Sequence, residues 1–561
     1  MHPFQKFRLE CERLTQQHLP GARLEVPPKE IGADLAFPCF AHAKELRQSP
    51  ADIAREKVKP IVGEIMFSPL IRKVESSGPY INFYANWEML GKLIVNDILK
   101  QKEYGKGKRK NKTVMIEYSS PNTNKPLHVG HLRNDSIGMA VSNVLDYCGY
   151  DAIRTAIIND RGIHICKSMY AYRQWGNNKK PDKKPDHFVG DFYVLFEQKL
   201  KENPDLEQRA LELLRKWELG DKKTRTLWKH MSMWVLRGMK ETYKRFGSKF
   251  DFWTFESDIY DKAKPIIEEG MRKRVFLKNE KGDTVAKLEP ELPNKVVLRA
   301  DGTSIYITQD LVLAKMRFEK YKLDKLLYVV ASEQNLHFQQ LFKIFALLGC
   351  SFSRKCHHLS YGLVNLPTGR MKTREGTVVD ADELIAEVAG LAAAEISKRE
   401  KSLPKKETAA RAEAIALAAI KYYLLKPEPV KDILFDPQRS IDFEGDTGPY
   451  LQYTYARARS ILRKSKKKPR LGKGHYQDKE IAVVKKLGQF PEVIGKCSAE
   501  LKPHFLANYL FELATMFNEF YHTTQVIGSE REQELLALTK AFTDVLGTGL
   551  RLLGIAPLEK M

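Results

Sequence analysis

The sequence predicts an α/β fold flanked by two further domains: a parallel sheet with crossover helices in the middle of the chain, an α+β domain before it and an all-α helical bundle after it. Three observations carry this. From 113 to roughly 300, apolar stretches of strand length alternate with helical periodicity, and that order resumes through 326–331 (LLYVVA) and 359–363. From about Lys405 the pattern changes to Ala-rich and Leu-rich helical stretches, beginning with 409–425. The chain has 561 residues, more than one core organises, so two to four domains are expected.

The elements follow in order. Residues 1–100 are expected to form the first domain, mixing amphipathic helical patterns with short strands such as 80–84 (YINFY). A basic connector, 101–112 (QKEYGKGKRKNK), reads as a solvated linker into the second domain, 101–404. Its first strand, 113–118 (TVMIEY), is apolar and β-branched enough to be buried, residues 119–125 carry turn and capping chemistry, and a helix runs from Leu132. A polar, tryptophan-rich and largely helical insertion is expected over about 181–295. Asp301-Gly302 is a turn signal, and Thr308 can start a helix that continues to Phe318. Crossovers of this kind place ligands beyond the carboxyl ends of the strands. The third domain, 405–561, is the bundle.

Charge and cysteine content narrow the class. Lys and Arg number 93 against 70 Asp and Glu, a net charge of +23, which favours a polyanionic partner because cationic surfaces steer nucleic acid and release its counterions. The 7 cysteines contain no CxxC pair and are odd in number, as a reducing compartment allows. Cys356-His357-His358 invites a zinc reading, but adjacent ligands point in different directions and no second cluster lies at finger spacing. No apolar leader and no apolar run of membrane-spanning length occurs, so a cytoplasmic protein without a membrane partner is expected.

The chemistry concentrates in residues 119–133, SSPNTNKPLHVGHLR, at a strand-to-helix junction. His128 and His131 stand three residues apart on one face of the helix start, and Gly130 between them removes a side chain that would keep a nucleotide from the backbone. Free N–H groups and the positive end of the helix dipole favour a phosphate there, and imidazole donors stabilise charge developing on its oxygens. Glu117, near the end of a buried strand, is costly unless paired, so it either meets a protein cation or awaits a cationic substrate. In the bundle, residues 443–459 interleave aromatics with arginines that can stack on unpaired bases, although Tyr450, Tyr453 and Arg457 share one helical face and could equally be core. The basic run 463–475 (RKSKKKPRLGKGH) reads as a flexible, solvent-facing loop able to touch RNA.

The first stretch resembles the H-I-G-H signature of class I aminoacyl-tRNA synthetases, and its long form, S-S-P-N-x-x-K-P-x-H-x-G-H-L-R, is similar to that of the arginyl-tRNA synthetases. The resemblance implies a Rossmann-like catalytic domain, an N-terminal domain binding the tRNA elbow and a C-terminal anticodon-binding bundle. It implies ATP-dependent ligation of L-arginine to tRNA(Arg) through arginyl-adenylate, with Mg²⁺ accompanying ATP. Pro121, Leu127, His128, Gly130, His131 and Met371 would then bind ATP, and Glu117, Ser119, Asn122, Tyr306, Asp310 and Gln334 the arginine. A guanidinium's planar fork suits two carboxylates flanked by a phenol better than a lysine ammonium would. Gly369 to Thr377 (GRMKTREGT) stands where the family has its K-M-S-K-S loop, in degenerate form, so that Lys372 and Arg374 would meet the leaving pyrophosphate, with Lys125 compensating. Tyr450, Gln452, Tyr453, Arg457 and Arg459 would touch tRNA, although a strict D-A-L-R tetrad is absent. The loop Ile158 to His164 departs from the family's Gly-Asp-Trp-Gly pattern. A monomer is expected.

Overall fold

A computed structural model describes residues 1–28, 31–302, 305–365, 379–400 and 402–561. The N-terminal helix α1 (Pro3–His18) buries Phe4, Phe7, Cys11 and Leu14, spaced as one helical stripe. β1 (Leu35–Pro38), α2 (Pro50–Glu64), β2 (Ile71–Ser77) and β3 (Tyr80–Ala85) complete an α+β unit with an antiparallel sheet in the order β1-β3-β2. Ser49 starts α2 by accepting from the Asp52 N–H, with Pro50 at the first helical position. Helix α3 (Trp87–Lys100), capped by Asn86, leads out of the unit.

The connector that follows is not a loose linker. Gly107 N–H donates to Tyr147 O at 2.8 Å, Lys110 N–H to Gly149 O at 2.7 Å, and Lys110 Nζ lies 4.0 Å from the centre of the Tyr150 ring. It is held along the end of the helix that carries the histidines.

The central domain then runs through β4 (Thr113–Glu117), α4 (Val129–Tyr147), β5 (Asp151–Ile158), α5 (Ile163–Trp175), α6 (Pro185–Glu202), α7 (Leu206–Glu218), α8 (Lys222–Phe246) and β6 (Phe252–Phe255). A small antiparallel sheet of β7 (Phe276–Lys278), β8 (Thr284–Ala286) and β9 (Lys295–Leu298) precedes α9 (Tyr306–Tyr321), β10 (Lys325–Ala331), α10 (Asn335–Leu347), β11 (Cys356–Tyr361) and α11 (Ala381–Arg399). The main sheet is wholly parallel, in the order β11-β10-β4-β5-β6. β4 is buried on both faces: Val114 and Ile116 join one core, Met115 the other. The strand order reverses between β4 and β10, which opens a crevice at their carboxyl ends.

The α/β class is therefore as expected, but the insertion is not one block over 181–295. β6, inside that range, pairs with β5 as a strand of the main sheet. Four residues, FWTF, half-buried at a sheet edge, are too short a signal against their charged surroundings. The helix read from Thr308 begins at Tyr306, because Thr308 turns its hydroxyl back to Val297 O.

The last third is the helical bundle: α12 (Lys405–Leu425), α13 (Gly448–Lys464), α14 (Asp478–Glu500), α15 (His504–Thr523) and α16 (Glu532–Leu552). The basic stretch between α13 and α14 is pinned rather than flexible. Ser465 Oγ donates to Glu532 Oε1 (2.6 Å), Arg470 N–H to Gln533 O (3.0 Å) and Gly474 N–H to Glu534 Oε1 (3.1 Å), while His475 Nδ1 lies 2.8 Å from Glu88 of α3. The N-terminal unit rests on this bundle. Lys485 pairs with Asp34 at 2.8 Å and Arg8 with Glu492 at 3.2 Å; a Cβ on Gly488 would come within 2.9 Å of Ile94 and 3.1 Å of Phe4. No helix among the described residues is long and apolar enough to cross a membrane.

Candidate active site

The site is built where β4 ends. Ser119 and Ser120 both adopt positive φ (73° and 47°), a backbone turn that serine adopts at a cost. It is held by Asn134 of α4, which accepts from Ser119 N–H at 2.7 Å and donates to Val329 O (2.8 Å) and Tyr361 Oη (3.0 Å), joining the ends of β4, β10 and β11. Asn159, past the end of β5, does the same on the other side. Its N–H donates to Pro121 O, its carbonyl accepts from Thr123 N–H, both at 3.0 Å, and its amide donates to Ser120 O at 3.2 Å. Neither asparagine stood out in the sequence, since single polar residues carry no spacing signal.

His128 is the N-cap of α4. Its Nδ1 accepts from Gly130 N–H at 3.2 Å, and its own N–H donates to Nδ1 of His131 at 3.1 Å. An imidazole nitrogen that accepts carries no proton, so both rings are fixed in the tautomer with hydrogen on Nε2. Burial, followed by mutual repulsion and the Lys125 charge, holds His128 well below the usual histidine range. Burial and Lys125 bring His131 down to about 3. Two neutral rings, 4.0 Å apart between centres, thus present Nε2–H donors. Gly130 serves a second purpose beyond clearing space for a ligand: a Cβ there would lie 2.9 Å from His128 Cε1, so the glycine makes room for the capping ring itself.

Both histidines, Gly130, Ser119, Ser120 and Asn134 line a cavity of about 350 Å³ together with Val329, Val330, Ala331 and Tyr361. Lys125 is half-buried beside the histidines, its ammonium destabilised by burial. Behind them, Arg133 is fully buried and donates to four carbonyls, those of Gly362 (2.6 Å), Leu363 (3.0 Å), Pro429 (2.9 Å) and Lys431 (2.6 Å). The helix start is gripped from the other side as well: Val129 N–H donates to Val379 O at 3.1 Å, and Ala381 N–H to Leu127 O at 3.0 Å.

Several expected site residues lie elsewhere or are already engaged. Leu127 is 1 % exposed and packs in the core, and Pro121 is buried, so neither side chain is open to a nucleotide. Glu117 has found its protein cation: Arg317 of α9 donates to Oε2, both groups being buried. Asp310 accepts from His337 at 2.7 Å. Asn122 is half-buried at a bridge to Asn159, and Gln334 is exposed on the turn after β10. Tyr306 lines a second cavity of about 360 Å³ with Arg161, His164, Glu256, Arg299 and Gln309. There Gln309 donates to Glu256 at 2.8 Å, and burial raises that carboxyl to about 7. Of the arginine-site residues, the histidine cavity therefore receives only Ser119. Met371, Lys372 and Arg374 lie outside the described residues.

In the bundle, Tyr453 and Arg457 line a cavity of about 650 Å³ together with Tyr521, and the Arg457 guanidinium lies between those two rings, 4.7 and 4.9 Å from their centres. Gln452 is fully buried and donates to Ala556 O at 2.8 Å, so it is structural rather than an RNA contact. Tyr450 Oη accepts from Asn518 at 2.9 Å, and Arg459 Nε donates to Glu559 at 2.8 Å.

A parallel sheet whose switch point carries paired histidines at a helix start, followed by a helical bundle, is the organisation of a class I aminoacyl-tRNA synthetase. Models of three families match: "tRNA synthetases class I (R), catalytic domain" over 94–437, "DALR anticodon binding domain" over 451–561 and "Arginyl tRNA synthetase N terminal domain" over 5–85. An arginine–tRNA ligase of Treponema denticola is 42% identical over 540 residues, spanning 93% of this chain and 90% of its own length. That of Treponema pallidum is 40% identical over 566 residues, spanning 96% and 95%. Among solved structures, the arginyl-tRNA synthetase of Thermus thermophilus superimposes with a TM-score of 0.83 at 28% identity, over 99% of this chain and all (100%) of its own. The chain belongs to the arginyl-tRNA synthetase family.

Proposed function

We propose that this chain ligates L-arginine to tRNA(Arg) with consumption of ATP, through an arginyl-adenylate, in protein synthesis. One observation carries the residue-level reading: both Nδ1 atoms of the histidine pair are occupied by backbone N–H groups, which leaves a neutral Nε2–H donor on each of two rings that line one cavity. The arginine carboxylate attacks the α-phosphate of ATP, held as its magnesium complex, and pyrophosphate departs. His128 and His131 donate to phosphate oxygens as charge develops, without the desolvation cost that charged imidazoles would carry. Lys125, Lys372 and Arg374 neutralise the departing pyrophosphate, while Gly130, Pro121 and Leu127 shape the nucleotide's surroundings through backbone and packing, and Met371 also binds the nucleotide. The terminal ribose of tRNA then attacks the activated carbonyl.

For arginine, Asp310 receives the guanidinium in place of His337, with Tyr306 at the start of the same helix and Gln334 after the next strand. Ser119 and Asn122 hold the other end, and Glu117 supports the site from behind, sharing its charge with Arg317. Tyr453 and Arg457 receive anticodon bases against Tyr521, with Tyr450 and Arg459 at the rim of that surface. The protein works as a monomer in the cytoplasm. The test is exchange of labelled pyrophosphate into ATP with arginine, lysine or citrulline, each with and without tRNA. Exchange confined to arginine is expected, and equal exchange with citrulline would overturn the charged guanidinium site.

A further inference from the structure

A charge cluster outside the cavity connects helices α6 and α8 to the histidine helix. Lys184, just before α6, places Nζ 2.6 Å from Asp186 Oδ2 and 2.8 Å from Asp382 Oδ2, and donates to Thr242 Oγ1 at 2.7 Å. His187 Nε2 lies 3.3 Å from Asp380 Oδ2 and 3.7 Å from Asp382 Oδ2. From α8, Arg245 reaches Asp382 O at 3.1 Å and Oδ1 at 3.4 Å, but its other nitrogens go to Glu413 at 2.7 and 3.1 Å. The arrangement is built in: Asp186 is fully buried, and a Cβ on Gly238 of α8 would fall 2.2 Å from its Oδ1. Asp186, His187 and Asp382 could face a metal ion, but the Lys184 ammonium already sits between the two carboxylates.

What the cluster holds is the segment that grips the histidine motif. Asp380 caps α11 by accepting from Asp382 N–H (2.8 Å) and Glu383 N–H (3.1 Å), and it forms a backbone bridge with His128. Its neighbours Val379 and Ala381 make the two backbone bonds to Val129 and Leu127. Of the three carboxylates, Asp380 is paired with His187, while Asp186 and Asp382 share Lys184, and Asp382 takes part of Arg245. Without a further cation the partly buried acids would repel one another and loosen the grip.

We propose that Lys184 and His187 are positioning residues for arginine activation: by neutralising Asp380 and Asp382 they fix the backbone that aims His128 and His131. This rests on the phosphate-binding role given above to those two histidines. The groups acting on His187 are Lys184 just before its helix and Asp186 on it, and Asp380 and Asp382 at the start of α11; from α8, Thr242 and Arg245 reach Asp382. Asp382 first, then Asp380 and Asp186, hold its imidazolium above the usual histidine range, against burial and Lys184. The cation is lost as pH rises through that raised value.

The test compares wild type, His187→Gln, and His187→Gln combined with Asp380→Asn, which keeps a capping side chain but removes the charge needing neutralisation. Arginine-dependent pyrophosphate exchange is followed from pH 6 to 9, and the ring ¹H–¹³C signals of His128 and His131 are recorded without substrates. In His187→Gln we expect kcat to fall about tenfold to a hundredfold with the KM for ATP little changed, as a small misplacement of reacting groups produces. The alkaline decline of wild type should vanish in that variant, the two ring signals should shift, and the double variant should recover both rate and signals. Unchanged signals, an unchanged rate, or a rate loss that Asp380→Asn leaves uncorrected would overturn the inference. Should wild type itself show no arginine-dependent exchange either with or without tRNA, the proposed function fails, and the ring signals alone still decide whether His187 positions the histidines.

Discussion

Replacing Arg317 by Met separates the two roles open to Glu117. The ion pair is buried, with side-chain exposures of 2% for Arg317 and 7% for Glu117. Burial pushes the Glu117 carboxyl up, and Arg317 is the main influence pulling it back. Arg317→Met leaves that carboxylate in an apolar strand without its cation, a loss of about 3–5 kcal/mol. Protonation of Glu117 relieves part of this, so the lower end is expected at neutral pH. Glu117→Gln strands the guanidinium instead and should cost a similar amount, whereas the double substitution strands no charge and should recover about 2 kcal/mol or more relative to the sum of the singles. The assay is urea unfolding followed by tryptophan fluorescence, with separate transitions fitted for separate domains, alongside the KM for arginine. Single variants with the wild-type midpoint, or a double variant as unstable as the sum, would refute the pairing account. A tenfold rise in KM for arginine in Glu117→Gln at an unchanged midpoint would instead assign the carboxylate to the substrate.

Three further outcomes are expected. Gly130→Ala drives a methyl group against the His128 ring and should lower the exchange kcat by about a hundredfold with little change in melting temperature, measured by exchange and calorimetry on one preparation. Because His131 titrates at about 3 in the fold and near 6.5 unfolded, the unfolded chain gains protons first as pH falls, so stability drops between those values; wild type should lose more melting temperature from pH 7 to 5 than His131→Gln, and parallel losses would contradict a neutral ring. Arg457→Ala should weaken tRNA binding and reduce its salt slope by about 1, while Gln452→Ala should lower stability and leave the slope alone, as read by filter binding across a salt series.

The parts of the site legible in the sequence are those where chemistry and spacing coincide within one segment. His128, Gly130 and His131 are contiguous, so a strand followed by a helix already places them. The parallel sheet was readable from buried strands such as 326–331, which need no partner information to be recognised as apolar. Contacts between distant segments were not readable. Nothing in the surroundings of Arg317, an arginine in a charged helix, tells that it meets a strand 200 residues earlier. Gln452 looked like an RNA contact because its neighbours are aromatic and basic, yet helix phase turns it inward. The basic run after α13 looked free because charge density signals solvent, and the groups that pin it, Glu532, Gln533 and Glu534 at the start of α16 and Glu88 of α3, are brought close by folding.

The seating of the N-terminal unit on the last helices has a consequence for how the molecule can be divided. The first and last domains in sequence share one apolar core, to which Phe4, Ile94, Leu487 and Phe490 all belong, with Phe4 and Ile94 seated over Gly488. The chain is closed upon itself like a clasp, and its three family segments are not three separable pieces. Removing the first 85 residues would bare an oily face on helix α14, so a truncated protein should self-associate before it loses its central sheet. The same closure means that the two ends of the chain cannot drift apart: the distance between the N-terminal unit and the helical bundle is set by packed side chains and by the Lys485–Asp34 and Arg8–Glu492 pairs, not by the length of a tether.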